Sequence, residues 1–222
     1  MSKLHISIVG DSISTYEGYN PYGYSVYYRD DRIYDNELYG VDDTWWKRVI
    51  DALGGTLCVN NSFSGSLVAG ESFPSAFSNE RCSALHGENT PDLILIYIGS
   101  NDRGYGVNIG LDAPENNKRF YGAYRTMLKR IKSNYPSAKI VCGTLLVGGL
   151  KDSDELTYDR FKVIDSRYND VIRLAASEEG CLLADLALTG KRYETLDRSH
   201  PTKNGHKLIA ELWLECLASL IK

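Results

Sequence analysis

Residues 4 to 9, Leu-His-Ile-Ser-Ile-Val, alternate in polarity and carry several β-branched side chains, the period-two pattern of a strand. Gly10 follows, and its lack of a Cβ permits a sharp exit into Asp11-Ser12. From Asp43 to Leu53 the apolar positions change to helical spacing, with Gly54-Gly55 as the stop. Thr56 to Val59 predicts a second strand that ends in the small, polar turn Asn60-Asn61-Ser62-Phe63-Ser64-Gly65-Ser66. Asp92 to Ile98 is nearly all apolar between Pro91 and Gly99, as a central strand covered on both faces requires. Its exit is Gly99-Ser100-Asn101-Asp102. A helix over about 117–134, a strand over 139–146, a helix over about 159–177 and a strand over 181–186 continue the alternation. A final helix is expected from Pro201, with Leu208, Leu212, Trp213 and Leu217 on one face and Pro201 in its first turn.

Five strands alternating with helices predict an α/β protein, a three-layer α/β/α sandwich around a five-stranded parallel sheet of flavodoxin-like layout. The chain of 222 residues shows no internal repeat or linker, so one domain over 1–222 is expected. Tyr16 to Tyr39, with eight of the 16 tyrosines, reads as a loop. The stretches after Asp102 and after Leu146 read as further loops at the C-terminal edge of the sheet, where open α/β sheets bind ligands.

Composition narrows the partners. The formal net charge of -4 and scattered Lys and Arg residues provide no surface for a polyanion, so no nucleic-acid partner is expected. No apolar run approaches a membrane span, and no export signal precedes the first strand, which makes a cytoplasmic location the expectation. Cys58, Cys82, Cys142, Cys181 and Cys216 contain no C-x-x-C spacing and read as buried free thiols. No Cys/His/carboxylate cluster suits zinc, and Gly104 to Gly110 lacks the spacing of a dinucleotide loop, so neither metal nor cofactor is expected. His5 is expected to pack in the first strand, and His86 and His206 to be surface or helix residues.

Four polar clusters remain, three after successive strands and one before the last helix. They are Gly10-Asp11-Ser12, Asn61-Ser62-Phe63-Ser64-Gly65, Gly99-Ser100-Asn101-Asp102 and Asp197-Arg198-Ser199-His200-Pro201. A serine hydroxyl needs a base to become a nucleophile, and an Asp three residues before a His on a turn can orient the imidazole that supplies one. In type, order and position these four blocks resemble the SGNH hydrolases, also called GDSL-type esterases. The resemblance implies Ser12 as nucleophile, His200 as general base and Asp197 as its orienting carboxylate. It further implies an oxyanion hole made of the backbone N–H of Ser12, the backbone N–H of Gly65 and the side-chain amide of Asn101. Asp11 and Asp102 are expected to tie loops together through backbone N–H groups. Ile13 stands where the family often has leucine. The G-x-S-x-G elbow of the ordinary α/β-hydrolases is absent.

Tyr16 and Tyr19 of the tyrosine-rich loop, with Trp45 and Trp46, are candidates for a substrate wall, the alternative being that they pack the loop onto the body. Trp45 and Trp46 project roughly 100° apart on a helix, which puts at least one in the core. The expected activity is a metal-independent serine esterase removing a short acyl group, such as acetyl, from a carbohydrate or another small alcohol. A lysophospholipase or thioesterase on longer chains, and a ligand-binding member of the fold without turnover, stay open.

Overall fold

In chain order the elements of the computed structural model are β1 (His5–Gly10), α1 (Trp45–Ala52), β2 (Thr56–Ser62), α2 (Asn79–Ser83), β3 (Leu93–Tyr97), α3 (Ser100–Tyr105), α4 (Phe120–Asn134), β4 (Lys139–Gly143), β5 (Val147–Leu150), α5 (Arg167–Glu178), β6 (Leu182–Ala184), β7 (Arg192–Thr195) and α6 (Lys203–Leu220). The structure describes residues 3–32, 37–150, 166–195 and 197–221. The main sheet is parallel, in the order β2-β1-β3-β4-β6, so the chain reverses direction across the sheet between β1 and β3. Ligand sites of open α/β sheets form at such a switch point. Helices α1 and α6 pack together, as do α4 with α5 and with α2, covering the sheet as the outer layers of the expected sandwich.

Continuous apolar strands form the middle layer because both faces are covered. Ile6, Ile8 and Val9 of β1 and all five residues of β3 are buried. Trp45 stacks on Trp213 with ring centroids 5.4 Å apart, and Tyr97 meets both rings edge-on. Helix α1 is capped by Thr44, whose hydroxyl accepts from the Lys47 N–H at 3.4 Å.

Several expectations are corrected. The strand expected to Leu146 ends at Gly143, because Asn169 takes both backbone groups of Leu145: its Oδ1 accepts the N–H at 2.7 Å and its Nδ2 donates to the carbonyl at 3.0 Å. The chain then forms β5 rather than a loop, pairing in parallel with β7 as a second, two-stranded sheet. The segment after Gly99 is the short polar helix α3, whose single turn and a half offers no apolar period to read. The last helix begins at Lys203 with Thr202 as its cap, the Thr202 hydroxyl accepting the Gly205 N–H at 3.2 Å, so Pro201 precedes it. The beginning of the helix expected over 159–177 lies outside the described residues. His206 lies on helix α6, one of the two placements expected for it, and is fully buried there. All five cysteines are free thiols, but only Cys82 and Cys142 are fully sequestered. Among the described residues, no helix is long and apolar enough to cross a membrane.

Candidate active site

Strand register brings the site together. Gly10 lies opposite Ser62 on one side and Tyr97 on the other, so β1, β2 and β3 end level. The segments carrying Ser12, Gly65 and Asn101 therefore leave one edge side by side. At Gly10 the exit is tight: a Cβ would lie 2.6 Å from Ser14 and 2.8 Å from the Ser62 hydroxyl. Ser12 opens a 3-10 turn over Ser12–Ser14, and Asp11 caps it by accepting the Ile13 N–H at 3.1 Å. Gly65 has φ +81, a left-handed conformation that favours glycine, while among the described residues no atom beyond its two chain neighbours lies within 4 Å of where a Cβ would stand. Within the described residues, glycine is thus favoured there by the backbone conformation and not by lack of space.

The fourth block arrives from β7 and is pinned through its backbone. Tyr193 donates its hydroxyl to the Ser199 carbonyl at 2.9 Å, and the buried Tyr28 donates to the Pro201 carbonyl at 2.9 Å. Asp197 Oδ1 accepts the N–H groups of Ser199 at 3.0 Å and His200 at 2.7 Å, which turns the segment back on itself. Its other oxygen, Oδ2, lies 2.6 Å from His200 Nδ1, and His200 Nε2 lies 2.9 Å from Ser12 Oγ. With Asp197 ionised, Nδ1 carries the proton and Nε2 is the acceptor facing the serine; this tautomer follows from the hydrogen-bond network. Partial burial pushes the Asp197 carboxyl up, but the hydrogen bond and charge of His200, the Tyr27 hydroxyl and the His200 N–H together hold it well below the usual carboxylate range.

Asn101 stands in the first turn of α3 and donates from Nδ2 to the Ser66 carbonyl at 2.9 Å, next to Gly65. The backbone N–H groups of Ser12 and Gly65 donate to no protein group among the described residues. Asp102 accepts the N–H of Val68 at 2.8 Å and of Ala69 at 3.0 Å, fastening the loop that carries Gly65 to α3. Burial outweighs these donors and raises its carboxyl to about 7, and burial likewise raises that of Asp11 to about 6 against the Ile13 N–H and the charges of His200 and Arg81.

The aromatic wall needs correction. Tyr16, Trp45 and Trp46 are buried, at 3%, 0% and 0% exposure, and they support the site from inside. Trp45 Nε1 donates to the Ser14 hydroxyl at 3.1 Å, and the Tyr16 hydroxyl is held by Asp30 at 2.5 Å. Only Tyr19 of the four is exposed, tilted against Trp46 at 5.9 Å. Phe63, two residues before Gly65, instead clusters with Tyr24 and Phe73, with centroids 5.2 to 5.5 Å apart.

Two further residues belong to this region without any motif to announce them. Arg81, fully buried on α2, donates to the carbonyls of Gly10 at 2.9 Å, Asn61 at 2.6 Å and Pro74 at 3.0 Å, to Asn61 Oδ1 at 3.1 Å and to the Ser66 hydroxyl at 2.8 Å. Burial lowers its pKa to about 10, which leaves it charged at neutral pH. Tyr27 donates its hydroxyl to Asp197 Oδ2 at 2.7 Å and stacks on the His200 ring. Among the described residues, no group of three or more His, Cys, Asp or Glu side chains is placed to hold a metal ion.

A parallel sheet with this switch point, its loops carrying a serine, a histidine and a carboxylate in contact, defines an α/β hydrolytic scaffold of the SGNH type. Residues 4–175 match the family model described as GDSL-like lipase/acylhydrolase, and the chain belongs to that family. It is a hydrolase of the GDSL-like lipase/acylhydrolase kind. Among solved structures, a candidate GDSL-like lipase from Bacteroides ovatus is 24% identical, with 99% of this chain and 100% of that one aligned at a TM-score of 0.76. A candidate GDSL-like lipase from Bacteroides uniformis is 26% identical over 98% of this chain and 96% of that one, at a TM-score of 0.74. A Lactobacillus plantarum protein is 20% identical over the whole of both chains, at a TM-score of 0.68. No curated protein matches the chain.

Proposed function

We propose that the protein is a serine acylhydrolase that cleaves a short-chain ester, of acetyl size, from a carbohydrate or another small alcohol by way of an acyl-enzyme. The observation carrying this reading is the chain of contacts from Asp197 Oδ2 to His200 Nδ1 at 2.6 Å and from His200 Nε2 to Ser12 Oγ at 2.9 Å. In that arrangement Nε2 takes the Oγ proton as Oγ attacks the ester carbonyl, and the imidazolium is stabilised by Asp197. The oxygen that becomes negative is met by the N–H groups of Ser12 and Gly65 and by the second Nδ2 hydrogen of Asn101, whose first is committed to Ser66. Collapse of the tetrahedral intermediate expels the alcohol, which receives the proton from His200. Water activated by the same imidazole then attacks the acyl-enzyme, and release of the acid restores Ser12.

Phe63, two residues before Gly65, packs tilted or edge-on with Tyr24 and Phe73, and so small an aromatic cluster supports a short acyl group or a small alcohol, which needs only a limited apolar surface. The test is hydrolysis of p-nitrophenyl acetate, butyrate and octanoate by the wild type and by Ser12→Ala. Turnover that depends on Ser12 and declines with chain length is expected. A preference for octanoate would replace the short-chain reading by a long-chain one, and undiminished turnover by Ser12→Ala would remove the serine mechanism.

A further inference from the structure

We propose that Tyr27 is a positioning residue that holds all three members of the Ser12, His200 and Asp197 constellation in register, an inference that rests on their proposed catalytic roles. Its ring lies flat on the imidazole of His200, with centroids 3.4 Å apart and planes 8° from parallel. Its hydroxyl donates to Asp197 Oδ2 at 2.7 Å, the same oxygen that faces His200 Nδ1. Its backbone N–H donates to the Thr15 hydroxyl at 2.8 Å, and that hydroxyl donates in turn to the Ser12 carbonyl at 3.0 Å. One residue of the tyrosine-rich loop thus touches the base, tethers the carboxylate and braces the turn of the nucleophile. Tyr28 supports it edge-on at 4.9 Å while anchoring the Pro201 carbonyl.

The two side-chain contacts act on the imidazole in opposite directions. A donor on Oδ2 draws charge from the carboxylate and makes protonation of the ring less favourable, whereas the π face of a stacked ring favours the cation. Ser12 from the turn after β1, Tyr28 from the loop and Asp197 also touch the imidazole, Asp11 and His206 from α6 interact with it electrostatically, and all five are common to the wild type and both Tyr27 variants. Tyr27→Phe keeps the ring and loses the hydroxyl; Tyr27→Leu loses both.

The experiment is the pH profile of kcat/KM for p-nitrophenyl acetate with wild type, Tyr27→Phe, Tyr27→Leu and Ser12→Ala, each checked for native folding by thermal melting. Tyr27→Phe should lower kcat roughly three- to tenfold with little change in KM, because water can replace the donor on the partly exposed carboxylate. Its acid limb should move to higher pH than in the wild type. Tyr27→Leu should lose roughly 30-fold or more in kcat, and its acid limb should lie about half a pH unit below that of Tyr27→Phe. Superimposable acid limbs in all three proteins, with Ser12-dependent turnover intact, would overturn the role of Tyr27 alone. Wild-type turnover that survives in Ser12→Ala would overturn the triad reading and this inference with it.

Discussion

Replacing His206 with Asn removes a buried titratable ring yet keeps an acceptor for the group it serves. The ring is fully buried on α6, where Nδ1 accepts the Trp45 N–H at 3.1 Å and the Tyr28 ring packs at 4.9 Å. Burial, reinforced by the positive charges of Arg48 and His200, pushes its pKa from 6.5 down to about 3. Protonating Nδ1 would also set one N–H against another. Between these two values the unfolded chain binds a proton that the folded chain does not, so stability falls as the pH falls, at about 1.4 kcal/mol per pH unit. From about pH 7 to about pH 4.5 this one ring removes about 2.5 kcal/mol. Asp11 and Asp102 act in the opposite sense: their raised carboxyls keep protons that the unfolded chain has released above pH 4, so their contribution declines as pH rises toward about 6 and about 7. Both carboxyls are present in wild type and in His206→Asn and cancel in the difference. Urea unfolding of the two proteins across this range should show the wild type more stable near neutrality, with the gap shrinking by about 2.5 kcal/mol toward pH 4.5. Parallel stability curves would refute the reasoning.

Arg81→Met should destabilise the fold by roughly 3 kcal/mol or more in urea unfolding, because it strands buried acceptors at Gly10, Asn61, Ser66 and Pro74. Arg81→Lys, with one compact donor in place of a planar fork, should recover only part of that loss. Asn101→Ala should lower kcat by about 100-fold or more at nearly unchanged KM in steady-state ester hydrolysis, as expected for a donor used chiefly in the transition state.

The sheet was legible because β1, β2 and β3 lead into glycine-bearing polar blocks and because β3, buried on both faces, leaves an unbroken apolar run. The four blocks are likewise visible in sequence; parallel register of β1, β2 and β3 explains why the first three meet, and the fourth is brought to them from β7 by the Tyr193 and Tyr28 hydroxyls. What escaped depends on contacts that no local pattern encodes. The Tyr27 hydroxyl and Asp197 are 170 residues apart, and Arg81 and Gly10 are 71 apart. Helix α3 and the β5-β7 pair are too short to show a period. Trp45 and Tyr16 read equally well as ligand surface or core, since an amphipathic ring serves either purpose, and only the position of Trp213, Ser14 and Asp30 decides for the interior.

Activated Ser12 is the centre of the functional reading, and labelling with a fluorophosphonate probe tests it most directly, because the probe reacts with a serine only when a neighbouring base takes its proton. Stoichiometric labelling of the wild type, mapped by peptide mass analysis to the segment holding Ser12 and lost in folded Ser12→Ala and His200→Ala variants, is expected. Labelling that persists in Ser12→Ala, or a folded wild type that takes up no probe, would contradict it.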